Sequence, residues 1–189
     1  MLKKIKKFKI NLRPSFVARA LKKKLMLDSI DSSFEKIVEE EIARLNPSIV
    51  PSAVYNTFTK RESPQPLSVL WEQASNKAIS ISLVAASAGE KLESIVQQGQ
   101  DSFKVALTDA SAWESVEQSN NFVYRLLGEE ASLEGCECSP LFPVPESQIA
   151  TVMALLESEK VGIRLNSSSQ LTPLYSKISY CFWSSVLKR

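Results

Sequence analysis

Ile79-Ser80-Ile81-Ser82-Leu83-Val84-Ala85-Ala86-Ser87-Ala88-Gly89-Glu90-Lys91-Leu92-Glu93 changes its hydrophobic period in mid-course. Up to Ala85 apolar and small polar residues alternate, the signature of a half-buried strand. After Gly89 the spacing of Leu92, Ile95 and Val96 is helical. Upstream, Ala53-Val54-Tyr55-Asn56-Thr57-Phe58-Thr59 is β-branched and aromatic, which predicts a second strand; Pro64 and Pro66 then break the chain ahead of a short helix over 67–73. Further upstream, Pro14 suits a first helical turn and sets Val17, Leu21 and Leu25 on one stripe. Ser32-Ser33-Phe34-Glu35 has the pattern of a capping box, opening a helix that buries Phe34, Ile37, Val38, Ile42 and Leu45 and stops at Asn46-Pro47. Downstream, a longer helix runs from Ser102 through Phe103, Ala106, Ala110, Trp113 and Val116 toward Leu127-Gly128. Another opens at Pro145-Glu146, carries Ile149, Met153 and Leu156, and is broken at Gly162, after which 163–165 and 171–182 read as extended. Helices and strands in this irregular order, without internal repeat, predict an α+β fold.

A chain of 189 residues holds one core, and 44% apolar with 23% charged residues is ordinary for a globular domain. Its charge is uneven. The first 25 residues carry ten basic side chains and no acidic one, leaving thirteen basic against twenty-one acidic residues, a net of −8, on the rest. The expected organisation is a basic N-terminal arm with the first helix over 1–30, loosely attached and solvated, and a compact domain over 31–189. Such an arm can also grip nucleic acid, an anionic membrane or an acidic partner. Nucleic acid is disfavoured because the acidic body continues no basic face and interleaves no aromatic motif.

Histidine is absent, which excludes serine–histidine and cysteine–histidine nucleophiles and removes the commonest metal ligand. Cys136-x-Cys138 and Cys181 are too few thiols for a zinc site, so the pair is expected to be structural, one thiol inward and one outward. No residue is nominated for catalysis or for metal binding. The start is too polar for a secretory signal and no run of about 18 apolar residues follows, so a cytoplasmic protein with reduced thiols is expected and no membrane is implied. Ser87-Ala88-Gly89 has the look of an anion-holding loop, but without a P-loop lysine or a dinucleotide glycine fingerprint it reads better as a strand-to-helix turn. Glu39-Glu40-Glu41, Glu129-Glu130 and Glu157 with Glu159 read as solvated helix faces.

From about Ser32 to Ser176 the order of segments resembles the activation (reactivation) domain of vitamin B12-dependent methionine synthase and its free-standing relatives. Pro51-Ser52-Ala53-Val54-Tyr55 is similar to that family's proline-x-alanine-valine-tyrosine strand, and Ala86 to Glu93 to its alanine-threonine-leucine-glycine turn and helix. Asp109 to Gln118 resembles the long-helix segment. Ser139-Pro140, Gln148 to Leu156, Val161-Gly162-Ile163-Arg164-Leu165, Ser168, Pro173 and Ser176 fall at family-like spacings. The resemblance implies a single α+β domain with a curved, largely antiparallel sheet flanked by helices. It also implies an accessory role: holding S-adenosylmethionine near a cobalamin carried by a partner, so that reduction by a flavodoxin-like donor and methyl transfer restore the cofactor. The implied partner is a corrinoid protein or a truncated methionine synthase, and the chemistry belongs to the cofactor and the methyl donor.

The ligand-binding positions that the resemblance implies are Glu117, Glu137, Ser139, Pro140 and Phe142. The family's loop reads arginine, three residues, glycine, tyrosine; the same frame here is Glu137-Cys138-Ser139-Pro140-Leu141-Phe142. Glu137 in place of the arginine repels the ligand's carboxylate, at a cost of about 2–5 kcal/mol in a desolvated site. Leu141 in place of the glycine obstructs close backbone approach. Two readings follow: an accessory protein that recognises S-adenosylmethionine or a cobalamin-bearing protein, and a non-catalytic interaction module that kept the fold and lost the ligand.

Overall fold

The computed structural model describes residues 1–186, so the last three residues of the expected 31–189 unit lie outside the described residues. In chain order the elements are β1 (Lys3–Lys6), α1 (Pro14–Lys24), α2 (Ser32–Leu45), β2 (Ser52–Thr59), α3 (Ser68–Trp71), β3 (Ala78–Ser87), α4 (Glu90–Gln98), α5 (Ser102–Leu133), β4 (Cys136–Cys138), β5 (Phe142–Pro143), α6 (Glu146–Leu156), β6 (Arg164–Leu165), β7 (Leu171–Thr172) and β8 (Ser176–Ser185). Six strands form a curled antiparallel sheet in the order β1-β2-β3-β8-β4, with β5 also on β8, and the whole is one α+β domain.

Helix α5 begins where Asp101 accepts the backbone N–H groups of Phe103 (2.9 Å) and Lys104 (3.1 Å). It then runs roughly 48 Å at helical rise. Its second half lies on one face of the sheet, where Val123, Leu127 and Ala131 meet Ala53, Tyr55, Val84, Ala86, Cys181 and Trp183. Its first half packs against α1, α2 and α4 through Ala106, Leu107, Ala110 and Val116. The opposite sheet face, with Val54, Ile81, Leu83, Ile178, Tyr180 and Phe182, is covered by α6 and α3. β3 is therefore buried on both faces, apart from exposed Ile79, and not half-buried. The serines and alanines that mimicked a solvent face in the sequence instead let α5 lie close, and Ser82 Oγ meets Thr57 Oγ1 at 2.7 Å.

The loosely attached arm is corrected. β1 pairs with β2 from Lys3↔Tyr55 to Lys6↔Ser52, and Val17, Ala18 and Leu21 of α1 are buried in the core. Three of the basic residues return to acids on α5: Lys3 to Glu130 (2.7 Å), Lys24 to Asp109 (2.8 Å), and Arg13 to Glu114 through Nε (2.7 Å) and Nη2 (3.2 Å). The charge run is thus one half of a pairing whose other half lies about a hundred residues away. Glu129-Glu130 is correspondingly not a plain solvated face, since Glu130 also accepts the Tyr55 hydroxyl at 2.7 Å.

Smaller differences have local causes. The cap of α2 is Asp31, whose carboxylate accepts from Phe34 N at 2.8 Å, one residue before the Ser32 expected to do so. The short helix over 67–73 is a 3-10 turn, Gln65–Leu67, followed by the single turn of α3. Cys136 and Cys138 both face α5 with Glu137 opposite, because residues two apart on a strand share a face. Burial raises the Cys136 thiol; a hydrogen bond from Cys181 lowers Cys138, and the same bond with burial holds Cys181 well above its ordinary value.

Two outcomes are expected. Leu21→Ala loses about 2–5 kcal/mol in urea unfolding, as for any fully buried leucine; a change within experimental error would mean that α1 is dispensable. In the folded protein near pH 8, iodoacetamide modifies Cys138 first, with Cys136 and Cys181 reacting only on unfolding, as peptide mass mapping will read.

Candidate functional site

Segment 136–144 runs along the edge of β8, and its register decides where each nominated side chain goes. Cys136, Glu137 and Cys138 oppose Ser185, Ser184 and Trp183. Ser139 N then donates to Phe182 O at 2.8 Å, while Phe182 N donates to Ser139 Oγ at 3.0 Å, so a side-chain hydroxyl stands in for a ladder carbonyl. Phe142 opposes Tyr180, Pro143 opposes Ser179, and Val144 N donates to Ile178 O. Pro140 and Leu141 therefore share one opposite residue, Cys181, a bulge placed where Pro140 has no N–H to give.

The bulge turns the segment over. Cys136, Cys138 and Leu141 face α5. Phe142 faces the other way, its ring 5.6 Å from that of Tyr180 and 6.4 Å from that of Phe182. Glu117 is on α5, where Lys177 Nζ holds its carboxylate at 2.6 Å. Glu137 is exposed beside Ser184, at the opposite end of β8 from Lys177, roughly 23 Å along the strand. The five nominated positions are thus not one cluster. Glu117 and Phe142 lie on opposite faces, Ser139 is consumed by the ladder, Pro140 is exposed on the bulge, and Glu137 is remote.

Several polar groups that sequence reasoning passed over are more closely built in. Asn120 Oδ1 accepts from Ser179 Oγ at 3.1 Å beneath β8, and Gln118 Nε2 donates to Glu114 at 2.8 Å. Tyr175 donates to Asp109 at 2.8 Å, and burial first, then that bond, raises its hydroxyl well above the ordinary range. Lys177 carried a signal: a cation within a strand-like apolar run calls for an acid nearby. Ser87-Ala88-Gly89 is the strand-to-helix turn expected, with Gly89 N bonded to Ser87 Oγ at 3.0 Å. Gly89 has φ +93°, and a Cβ there would meet Val50 O at 2.8 Å, so glycine is required twice over.

Among the described residues no group of three or more cysteines or carboxylates is placed to hold a metal ion, and no helix is long and apolar enough to cross a membrane. The arrangement presents ion pairs, a sheet edge and clefts.

No family model matches the sequence, and no curated protein matches it. Among solved structures, the chain is similar to the MetH reactivation domain crystallised with AdoHcy, with a TM-score of 0.65 and 13% sequence identity, over 100% of this chain and 80% of that one. That likeness shows the fold. It extends through the first thirty residues, which the sequence resemblance had left outside.

Proposed function

We propose that this protein is a non-catalytic interaction module, a divergent relative of the methionine synthase reactivation domain that no longer holds S-adenosylmethionine at the family's loop. The observation that carries this reading is that the side chains at the implied ligand positions are engaged within the protein or separated by it. Lys177 neutralises Glu117, the Phe182 amide occupies Ser139, and Phe142 packs on Tyr180. A ligand would have to break these contacts without a cation at Glu137 to compensate. Leu141, where the family's loop has glycine, packs toward α5.

In this reading the partner is a corrinoid protein or a truncated methionine synthase, met in the cytoplasm and served by a flavodoxin-like reductant. Three unpaired thiols suit a reducing compartment. A second reading, the ligand-holding accessory protein, is favoured by the bound AdoHcy of the similar domain.

Calorimetric titration separates the two. No heat is expected with S-adenosylmethionine up to about 1 mM near neutral pH, a ceiling of about −4 kcal/mol. Micromolar binding, worth about −8 kcal/mol, would return the protein to the accessory reading. Glu137→Arg alone is not expected to restore affinity, since it adds a cation far from Glu117.

A further inference from the structure

At the sheet edge opposite β4 lies a cavity of about 750 Å3, between the link from β1 to α1, the link from α2 to β2, and the first turn of α4. Lys7, Lys9 and Lys91 line it together with Asn11, Asn46 and Phe8, and no carboxylate does. An adjoining cavity of about 330 Å3 shares Lys7 and Lys91 and adds Lys6, with Glu90 its one acid.

Lys6, Lys7 and Lys9 belong with Arg19, Lys22 and Lys23 to the arm's cations without an ion pair among the described residues, and unlike those three they gather at one concavity. Lys3, Lys4, Arg13 and Lys24 each reach an acidic partner. Among the described residues Lys6, Lys7, Lys9 and Lys91 have no ion pair, although the chain beyond the arm has acids in excess. Like charges gathered at one concavity raise its potential and favour an anion there. Lys7 adds an independent sign. It adopts φ +57°, the left-handed region that side-chain-bearing residues seldom enter, and its N–H is fixed to Pro51 O at 2.9 Å. Glycine or asparagine would suit that backbone better, and the lysine that stands there instead lines the cleft.

We propose that this cleft binds a small phosphate ester carrying at least two negative charges and an apolar or aromatic body, of nucleotide size. Lys7, Lys9 and Lys91 meet the phosphates, and Asn11 and Asn46 supply further hydrogen-bonding groups. The body lies against Ile10, Val50 and Phe8, whose ring is held by stacking on Phe122 at 4.6 Å. The volume is that of small-ligand sites. A nucleic acid strand is a worse fit, because the charge is confined to one concavity and the surrounding body is acidic. S-adenosylmethionine is worse still, since its sulfonium and ammonium groups are cationic. The inference stands apart from the proposed function, being at the other edge of the sheet.

The test is calorimetric titration of the full chain with ATP and with pyrophosphate at about 50 and 150 mM salt. ATP is expected to bind, more weakly at the higher salt, and pyrophosphate to bind less tightly because it leaves the apolar wall unused. Lys7→Asn with Lys91→Gln is expected to weaken ATP at least about tenfold, about 1.4 kcal/mol, while thermal unfolding shows the fold retained, since asparagine tolerates the left-handed backbone. Lys23→Gln with Lys36→Gln, both exposed and away from the cleft, is expected to leave ATP binding unchanged. No ATP binding by the unmodified protein at about 1 mM, or equal loss in both double variants, would overturn the site. Tighter binding of a single-stranded oligonucleotide than of ATP, or pyrophosphate binding as tightly as ATP, would overturn the ligand class.

Discussion

The fork between Arg13 and Glu114 ties the start of the chain to the middle of its longest helix, and much of the architecture depends on that attachment. Glu114 is 7% exposed, on a helix with structure on both sides, and a carboxylate so placed requires a charged donor. Arg13 meets it with two parallel bonds immediately before α1, so the direction in which α1 leaves is set by the same contact. Lys3 and Lys24 repeat the device on either side, toward Glu130 and Asp109. Individually these partly exposed pairs add little to stability. Together with the apolar seat of Val17 and Leu21, they determine which surface of α5 the N-terminal segment covers.

Burying α5 on two sides requires small residues, and the helix supplies alanines and serines where its neighbours come closest. Buried hydroxyls need partners, and helix geometry provides them locally: Ser115 Oγ donates to Ser111 O at 2.7 Å and Ser119 Oγ to Ser115 O at 2.8 Å. Asn120 is the exception, reaching across to Ser179 and so pinning β8 to the helix. Ser111 Oγ and Trp183 Nε1 remain buried without a protein partner. The polar layer under β8 therefore serves packing, which accounts for the buried serines along α5.

Periodicity was legible wherever an element has one wet and one dry side. The helix stripe of Val38, Ile42 and Leu45 was readable for that reason, Ser52–Thr59 from its β-branched and aromatic composition although both its faces are covered near Val54, and the turn at Gly89 from the change of period. β3 misled because a face of serine and alanine reads as polar whether water or a helix lies against it. The basic arm misled more deeply. A run of lysines looks solvated in one dimension, and only the fold reveals that acids a hundred residues downstream return to meet it. Among the lysines without such a partner, Lys6, Lys7 and Lys9 gather at the concavities beside the link from β1 to α1.

The nominated ligand positions are spread over the structure by a feature smaller than any element. Spacing along the chain was family-like from Glu137 to Phe142, yet on a strand each added residue reverses the face of everything after it. Pro140 and Leu141 opposite Cys181 add that one residue, so Phe142 joins Tyr180 and Phe182 while Glu117 stays across the sheet with Lys177. Had the edge continued without the bulge, Phe142 would fall on the α5 side together with Cys136 and Cys138. A single-residue change of register thus leaves the sheet, its core and its order intact while setting Phe142 and Glu117 on opposite faces. At 13% identity the likeness shows the fold alone, and the register along this edge decides which side chains share a face.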